Sequence, residues 1–376
     1  MKFDTLITQY DKHNETNILL AQKFNIKQII CIISKIDGEK QSEIAKMYQK
    51  VLPKCKLKFN VIQKGEADEF KRVLIDNKTA LINLSDGEEI NSLIMLKLIQ
   101  ELNMTGVFVD LLEQKRYVFT DNYRVIKKEL RDMSIEEIIN LAGISIINES
   151  SSLVKYNELD DIINTIVSNL DTWYKYKQKL YDNNIFIHNY KDSTKVQINE
   201  MKLNEEEKAL LSNCLNYLKK IGGISYSVCD NVIDVTFNNE YLKGFLFKSG
   251  TWLEVMTHKV VQSIRDVDDV KSGLLFSWSN ESKEVQNELD VIAVRDSVLI
   301  CISCKDSEKY EEDALNELQV YSEKLGGNLV KKILVSTKPA SKLTIKNRAK
   351  EMGIDIVIVD KDINKFRKNI ENIIKK

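Results

Sequence analysis

ELDVIAVRDSVLICISCK, the stretch Glu288–Lys305, contains two apolar runs separated by Asp296-Ser297. Aliphatic and β-branched runs joined by a short polar turn are typical of a β-hairpin. Helix-periodic and strand-like segments alternate after this stretch, which is the pattern of an α/β fold. We therefore predict that residues 241–376 form an α/β unit that contains this hairpin.

The pairing of the two strands depends on the length of the turn. If the turn has two residues, Asp290 lies opposite Ser303 and Glu288 lies opposite Lys305. Facing residues are about 5 Å apart at Cβ, and because side chains alternate along a strand, all four point to one face. A three-residue turn would shift the register and separate them. The sequence thus predicts two carboxylates, a hydroxyl and an ammonium in one place.

Such a cluster suits metal-assisted cleavage of phosphodiesters. Carboxylates bind Mg²⁺ or Mn²⁺ through hard oxygen ligands, and the ion lowers the pKa of a bound water. Lys305 can orient that water, help to deprotonate it or stabilise the transition state. Glu254, on a predicted helix from Trp252 to about Ile264, can add a carboxylate. From the spacing alone, surface ion pairs on a hairpin are an equally good interpretation.

The first third of the chain alternates short apolar runs with amphipathic stretches. This alternation predicts a parallel sheet with helices on both faces. The predicted strands are Thr5–Gln9, Gln28–Ile33, Leu57–Ile62, Ala80–Leu84 and Val107–Leu111.

Polar residues follow several of these strands, where ligands bind in parallel sheets. Glycine permits a close approach of the backbone, and the next helix offers N–H donors to phosphate. An ordinary strand-to-helix turn is the alternative interpretation. The candidate ligand-binding residues are Gln9, Tyr10, Lys12, Ser34, Ser85, Asp86, Gly87 and, after the last strand, Lys115.

Residues 126–240 are mostly helical and charged in pattern. We predict helices at Leu159–Leu180 and Asn204–Lys220, and a small hairpin from Ile224–Val228 and Val232–Phe237. These features indicate a helical connector that ends in a winged-helix-like unit.

Three motifs in the C-terminal unit stand in a familiar order: Gly250–Glu254, Asn287–Asp290 and Ile302–Lys305. They resemble the Glu, Asp and (D/E)xK motifs of restriction-endonuclease-like nucleases. The segment that ends at Glu254, together with Asn83–Gly87, resembles the CARF-domain PD-(D/E)xK nucleases, which are accessory effectors of type III CRISPR antiviral systems of the Card/Can type. This resemblance covers roughly the whole chain.

The resemblance implies a Rossmann-like CARF domain at residues 1–140, a connector at 141–240 and a restriction-endonuclease-like domain at 241–376. It implies a homodimer that binds one cyclic tetra-adenylate activator. It implies Glu254, Asp290 and Lys305 as catalytic residues, and the Cys304 carbonyl as a metal ligand. Ser303 stands where the family has an acid, so we expect it to take part in catalysis through a water, and Glu254 or Glu288 must complete the metal ligands. A site with few carboxylates should prefer Mn²⁺ to Mg²⁺.

The composition limits the classes of protein to which this chain can belong. The net charge is −1, so polyanions must be met by local patches, and the six cysteines are scattered. No apolar run approaches the ~18 residues of a membrane span, and we expect a cytoplasmic protein. The predicted substrates are DNA and RNA, with single strands preferred. The alternatives are a ligand-responsive DNA-binding regulator without nuclease activity, and a sensor domain that degrades its own activator.

Overall fold

The structure is a computed structural model that describes residues 2–35, 38–151, 159–248, 250–278, 286–307 and 310–376. Over these residues the chain forms three β-sheets of seven, four and six strands, with helices between the strands. The predicted α/β class is confirmed. Within the described residues, no helix is both long enough and apolar enough to cross a membrane.

The N-terminal unit is built on a twisted sheet of seven strands. Its elements are β1 (Thr5–Gln9), α1 (Glu15–Phe24), β2 (Gln28–Ile33), α2 (Gly38–Val51), β3 (Lys56–Val61), α3 (Ala67–Asp76), β4 (Leu81–Asn83), α4 (Glu89–Glu101), β5 (Thr105–Asp110), β6 (Lys115–Phe119) and β7 (Tyr123–Lys127). The order is β3-β2-β1-β4-β5-β6-β7, and β1 to β5 are parallel. All five predicted strands are confirmed, and the strand order reverses between β1 and β4.

The antiparallel hairpin β6–β7 was not predicted. Its strands, KRYVF and YRVIK, carry basic residues within short apolar runs, and every residue of β7 is exposed. Because nothing covers β7 within the described residues, the sequence lacks the buried face that makes a strand recognisable.

The connecting segment contains α5 (Ile135–Leu141), β8 (Ser145–Asn148), α6 (Leu159–Ser168), α7 (Leu170–Gln178), β9 (Phe186–His188), β10 (Lys195–Asn199), α8 (Glu205–Lys220), β11 (Ile224–Cys229) and β12 (Val232–Phe237). The hairpin β11–β12 confirms a prediction, and it belongs to an antiparallel sheet of order β11-β12-β10-β9. The single helix predicted at Leu159–Leu180 is wrong, because it breaks at Asn169. The Asn169 side chain donates to the Thr165 carbonyl (2.8 Å), a local bond that competes with helical backbone pairing.

The C-terminal unit contains α9 (Glu240–Phe247), α10 (Thr251–Gln262), β13 (Asp269–Ser277), β14 (Gln286–Arg295), β15 (Val298–Lys305), α11 (Glu312–Gly326), β16 (Lys331–Ser336), α12 (Leu343–Glu351), β17 (Ile354–Ile358) and α13 (Ile363–Lys375). Its sheet has the order β17-β16-β15-β14-β13-β8. Strand β8 lies in the segment predicted as connector and pairs with β13, so chain from before residue 240 completes this sheet. The three domain ranges themselves stay predictions.

The C-terminal sheet is covered on both faces. Along β14, Val291 and Ala293 join the core shared with α7 and α10, whereas Ile292 and Val294 join the core shared with the N-terminal unit. Both faces are therefore apolar, which explains the unbroken apolar runs of β14 and β15. The hairpin is held between the connector and the N-terminal unit.

Candidate functional site

The hairpin β14–β15 has the register that the two-residue turn predicts. Paired residues run from Arg295 with Val298 to Val291 with Ile302. Asp296 and Ser297 both have positive φ, 56° and 68°, as in the tight turns that suit twisted hairpins. The structure thus confirms the register on which the proposed cluster depends.

Asp290 lies just beyond the last paired residues and reaches across to β15. Its Oδ2 accepts a hydrogen bond from the Cys304 backbone N–H (2.6 Å) and one from the Ser303 hydroxyl (3.1 Å). Both hydrogen bonds go to Oδ2, so they fix the orientation of the carboxylate and leave Oδ1 to other partners. Ser303 therefore orients an acid, although it cannot replace one.

Glu254 lies in the first turn of α10, after Gly250, whose φ of 103° favours glycine. Burial, with the carboxylates of Asp290 and Glu288, raises the pKa of Glu254 to about 7, although the ammonium groups of Lys248 and Lys305 oppose the shift. Burial also raises the pKa of Asp290, although the Cys304 N–H and Lys305 oppose this. The acids predicted from the sequence therefore lie close enough to repel one another when ionised, and a bound cation would reduce this repulsion.

A cleft of about 450 Å³ opens beside these acids. Glu254 and Glu288 line it, whereas Asp290 is half-buried and is not one of its lining residues. The cleft also has Tyr241 and Lys248, which sequence reasoning missed because α9 was not predicted. The apolar spacing of Tyr241–Phe247 is the signal that could have shown this helix.

A divalent metal fits this donor set only in a limited way. Among the described residues, no three His, Cys, Asp or Glu side chains are grouped to hold a metal ion. The Cys304 thiol contacts Thr257 Oγ1 (3.6 Å), and burial raises its pKa well above the ordinary value, so the sulfur is not an anionic ligand. The carboxylates of Glu254, Glu288 and Asp290, with a backbone carbonyl and water, are the donors that remain, and such oxygen ligands suit Mg²⁺ or Mn²⁺.

A second cleft, of about 660 Å³, lies in the N-terminal unit at the carboxyl ends of β1, β2 and β4. It brings together four of the predicted ligand-binding residues: Tyr10, Lys12, Ser34 and Gly87. Lys64 also lines it, and sequence reasoning missed this residue because it follows β3 by three positions. The cleft lies where the strand order reverses, the usual place for a ligand in such sheets.

Three other predicted residues lie behind this cleft and build its wall. Gln9 donates to Ser92 Oγ (2.8 Å) and accepts from the Glu88 N–H (3.1 Å). Ser85 Oγ accepts from a backbone N–H of β5. Asp86 accepts from Asn83 (3.0 Å), and burial raises its pKa to about 7.

Lys115 lies apart from the cleft. It starts β6 and pairs with Glu113 (3.1 Å) on the surface. The structure thus separates the eight predicted ligand-binding residues into four that line the cleft, three that support it and this one.

Comparison with known proteins agrees with this architecture. Residues 241–376 match the family model described as "Card1-like, endonuclease domain", and a search of curated proteins found no match. The structure resembles protein VC1899 from Vibrio cholerae, with a TM-score of 0.75, 18% identity, and coverage of 98% of this chain and 97% of that one. It also resembles Can2 from Sulfobacillus thermosulfidooxidans in complex with cyclic tetra-adenylate (TM-score 0.73, 13% identity, coverage 99% and 98%).

At these identities the two structures show the fold, over nearly the full length of both chains. The family model adds the activity of the C-terminal unit. This protein is therefore an endonuclease whose residues 241–376 match the Card1-like endonuclease domain and whose chain has a fold similar to that of Can2.

Proposed function

We propose that this protein is a CRISPR ancillary nuclease that cyclic tetra-adenylate activates and that hydrolyses DNA and RNA, preferring single strands. The observation that carries this proposal is that Glu254, Asp290, Glu288 and Lys305 lie close enough to shift one another's charge equilibria, and that Glu254 and Glu288 line one cleft. A binding-only regulator has no use for buried acids that raise each other's pKa. The cyclic tetra-adenylate held by the similar Can2 structure supports the activator.

Each residue has a separate part in the proposed reaction. Asp290, with Glu254 or Glu288, would hold a divalent metal, which would supply a water of lowered pKa and neutralise charge on the phosphate. The hydrogen bonds from Ser303 and Cys304 keep Asp290 in one orientation before substrate arrives. Lys305 places a positive charge beside these acids, where it can orient a water or stabilise the charge that develops on phosphate.

The cleft also supports the preference for single strands. Tyr241 lines it and is 47% exposed, so its ring is available for a base to stack on. Base stacking on an aromatic ring tolerates any sequence and requires an unpaired base. Lys248, in the same cleft, can contact the phosphate backbone of DNA or RNA alike.

Labelled single-stranded and double-stranded DNA and RNA test this function directly. With Mn²⁺ and cyclic tetra-adenylate we expect cleavage of both single strands, less cleavage of duplexes, and none with EDTA. Mn²⁺ should support a faster rate than Mg²⁺. Tight duplex binding without cleavage would instead support the DNA-binding regulator. Chromatography of the activator after the reaction shows whether the N-terminal unit degrades it.

The N-terminal cleft has features suited to a phosphate-containing ring. Lys12 and Lys64 bring positive charge, and helix α4 begins at Glu89 with its N–H groups beside the cleft. Lys64 pairs with Glu88 (2.6 Å), so part of the acidic charge is already neutralised. These groups offset the acids that would repel a cyclic tetra-adenylate.

An apolar surface of the N-terminal unit supports a homodimer. Phe108, Tyr117 and Val125 stand side by side across β5, β6 and β7, and Phe108 and Val125 are 38% and 47% exposed. Helix α4, which carries Leu93 at 63% exposure, packs on the same sheet face. A contiguous exposed apolar surface of this kind marks an interface. A symmetric ring ligand fits a two-fold axis formed by two copies.

Val125→Lys should convert the dimer to a monomer, because it places an ammonium in the apolar surface. Sedimentation velocity measures the change, and activator binding should weaken at least tenfold. The control is Arg124→Ala, on the opposite face of the same strand, which should remain dimeric. A Val125→Lys variant that is still dimeric at micromolar concentration would place the interface elsewhere.

Contacts between the N-terminal unit and the catalytic hairpin give a route for activation. Lys128 Nζ and Gln114 Nε2 donate to the Asp296 carbonyl (3.1 and 3.4 Å), and the Met133 N–H donates to Ser297 Oγ (3.0 Å). The N-terminal unit thus holds the turn of the hairpin that carries Asp290. An activator can shift the site only by favouring one such arrangement.

Lys128→Met should reduce stimulation by the activator several-fold while keeping the unstimulated rate. Lys128 is 3% exposed, so methionine keeps the packing and removes only the charged contacts. The matched control is Lys127→Met, an exposed neighbour, which should behave as the parent protein. Equal stimulation in both variants would show that activation does not pass through the hairpin turn.

A further inference from the structure

Asp306, the residue after Lys305, is buried, with 1% of its side chain exposed. Side chains from three separate parts of the chain contact its carboxylate. These contacts are Trp173 Nε1 to Oδ2 (2.8 Å), Trp252 Nε1 to Oδ2 (3.0 Å), Thr337 Oγ1 to Oδ1 (3.0 Å) and Lys177 Nζ to Oδ1 (2.9 Å). Neither the cleavage reaction nor the activator cleft uses this group.

The partners of Asp306 come from elements that carry or adjoin the active site. Trp252 lies on α10, two residues before Glu254. Trp173 and Lys177 lie on the connector helix α7, and Lys177 also donates to the Asp306 backbone carbonyl. The two indoles meet edge to face, with centroids 6.2 Å apart. One carboxylate therefore joins the connector to the strand end at Lys305 and to the helix of Glu254.

The backbone of Lys305 is held on both sides. Before it, the Cys304 N–H binds Asp290, and after it the side chain of Asp306 is anchored. Its own carbonyl accepts from the Thr337 N–H (3.3 Å). Fixing the backbone in this way leaves only side-chain torsions to place the ammonium. Small displacements of such a group cost much of the rate.

We propose that Asp306 is a positioning residue. It fixes the positions of Lys305 and Glu254 relative to each other, and it couples both of them to the position of α7. This inference rests on the proposed nuclease function, because it gives Lys305 and Glu254 a catalytic role. A buried carboxylate cannot leave its partners without losing their hydrogen bonds and charge, so the joined elements move together. A shift of α7 thereby becomes a shift of the active site.

The test compares Lys177→Met, Asp306→Asn and the double variant. Lys177→Met leaves the buried Asp306 carboxylate without its ammonium, and Asp306→Asn leaves the half-buried Lys177 ammonium without that carboxylate. In each variant kcat should fall at least tenfold with KM for substrate and Kd for activator unchanged. The double variant is neutral and keeps a carbonyl oxygen for the indoles, so kcat should recover to within about threefold of the parent. A double variant that folds and stays as slow as either single one overturns the proposal.

Two further variants separate positioning from stability. Glu207→Gln removes another ion pair of the connector, between the buried Glu207 carboxylate and the partly exposed Lys179 (2.6 Å), far along the chain from Asp306. It should lower the melting temperature and leave kcat unchanged; a fall of kcat equal to that of Asp306→Asn overturns the proposal. Trp252→Phe removes one N–H without changing charge, and kcat should fall several-fold even if the charged single variants fail to fold.

Asp290→Asn, assayed in parallel, distinguishes the positioning role of Asp306 from the proposed nuclease function. If Asp290→Asn is inactive while folded Asp306→Asn keeps its full kcat, the positioning role is wrong and the nuclease site stands. If Asp290→Asn is fully active, the nuclease site itself is misplaced, and the positioning role fails with it.

Discussion

Asp290→Asn should abolish activator-stimulated cleavage, with a fall of at least about 100-fold, or roughly 3 kcal/mol in the barrier. The change removes the negative charge and keeps an oxygen that can accept from Cys304 and Ser303, so the hairpin should fold as before. Lys305→Ala should cause a similar loss, because it removes the positive charge beside these acids. Single-turnover rates on labelled single-stranded DNA and RNA measure both.

Ser303→Ala is the matched control for this prediction. It should cost much less, since the Cys304 N–H (2.6 Å) still holds Asp290 when the hydroxyl is gone. Activator binding and melting temperature should be those of the parent protein in all three variants. If folded Ser303→Ala were as inactive as Asp290→Asn, the serine would have to act on the metal or the substrate itself. If Asp290→Asn kept full activity, the site would be elsewhere.

Gly87→Ala should abolish activator binding and with it stimulated cleavage. Gly87 has a φ of +85°, and a Cβ there would lie 2.9 Å from Gln9 Cδ and closer still to Gln9 Cβ. Gln9 cannot give way freely, because it is buried and bonds Ser92 and the Glu88 N–H at the start of α4. The backbone strain costs about 1–2 kcal/mol, and the overlap displaces the wall of the cleft. Calorimetry should show binding weakened at least tenfold.

Gly65→Ala separates backbone strain from overlap. Gly65 has nearly the same φ, +84°, and a Cβ there would meet no atom within 4 Å. It should lose about 1 kcal/mol of unfolding free energy while binding the activator as the parent does. If both variants bind equally well, the cleft at Gly87 is not the activator site. If both lose binding, strain alone explains the loss.

The sequence by itself determined the local elements. The five strands of the parallel sheet were predictable because apolar runs bounded by polar turns mark buried strands wherever they pack. The register of β14 and β15 followed from the two-residue turn and the period-2 alternation, which are properties of neighbouring residues. The placement of Asp290 beside Ser303 therefore needed no tertiary information.

The tertiary structure decided what distant segments contribute. Strand β8 joins the C-terminal sheet through Asn148 opposite Leu275, and Trp173 reaches Asp306 across 133 residues of chain. Gln9 and Asp86 look like ligand-binding residues at a strand end, yet the Gln9 side chain donates to the Asp86 carbonyl, and the Asp86 carboxylate accepts from Asn83. Local periodicity reports which face of an element is buried. The same periodicity does not indicate which element covers that face, because hydrophobic burial is non-directional and any apolar surface satisfies it.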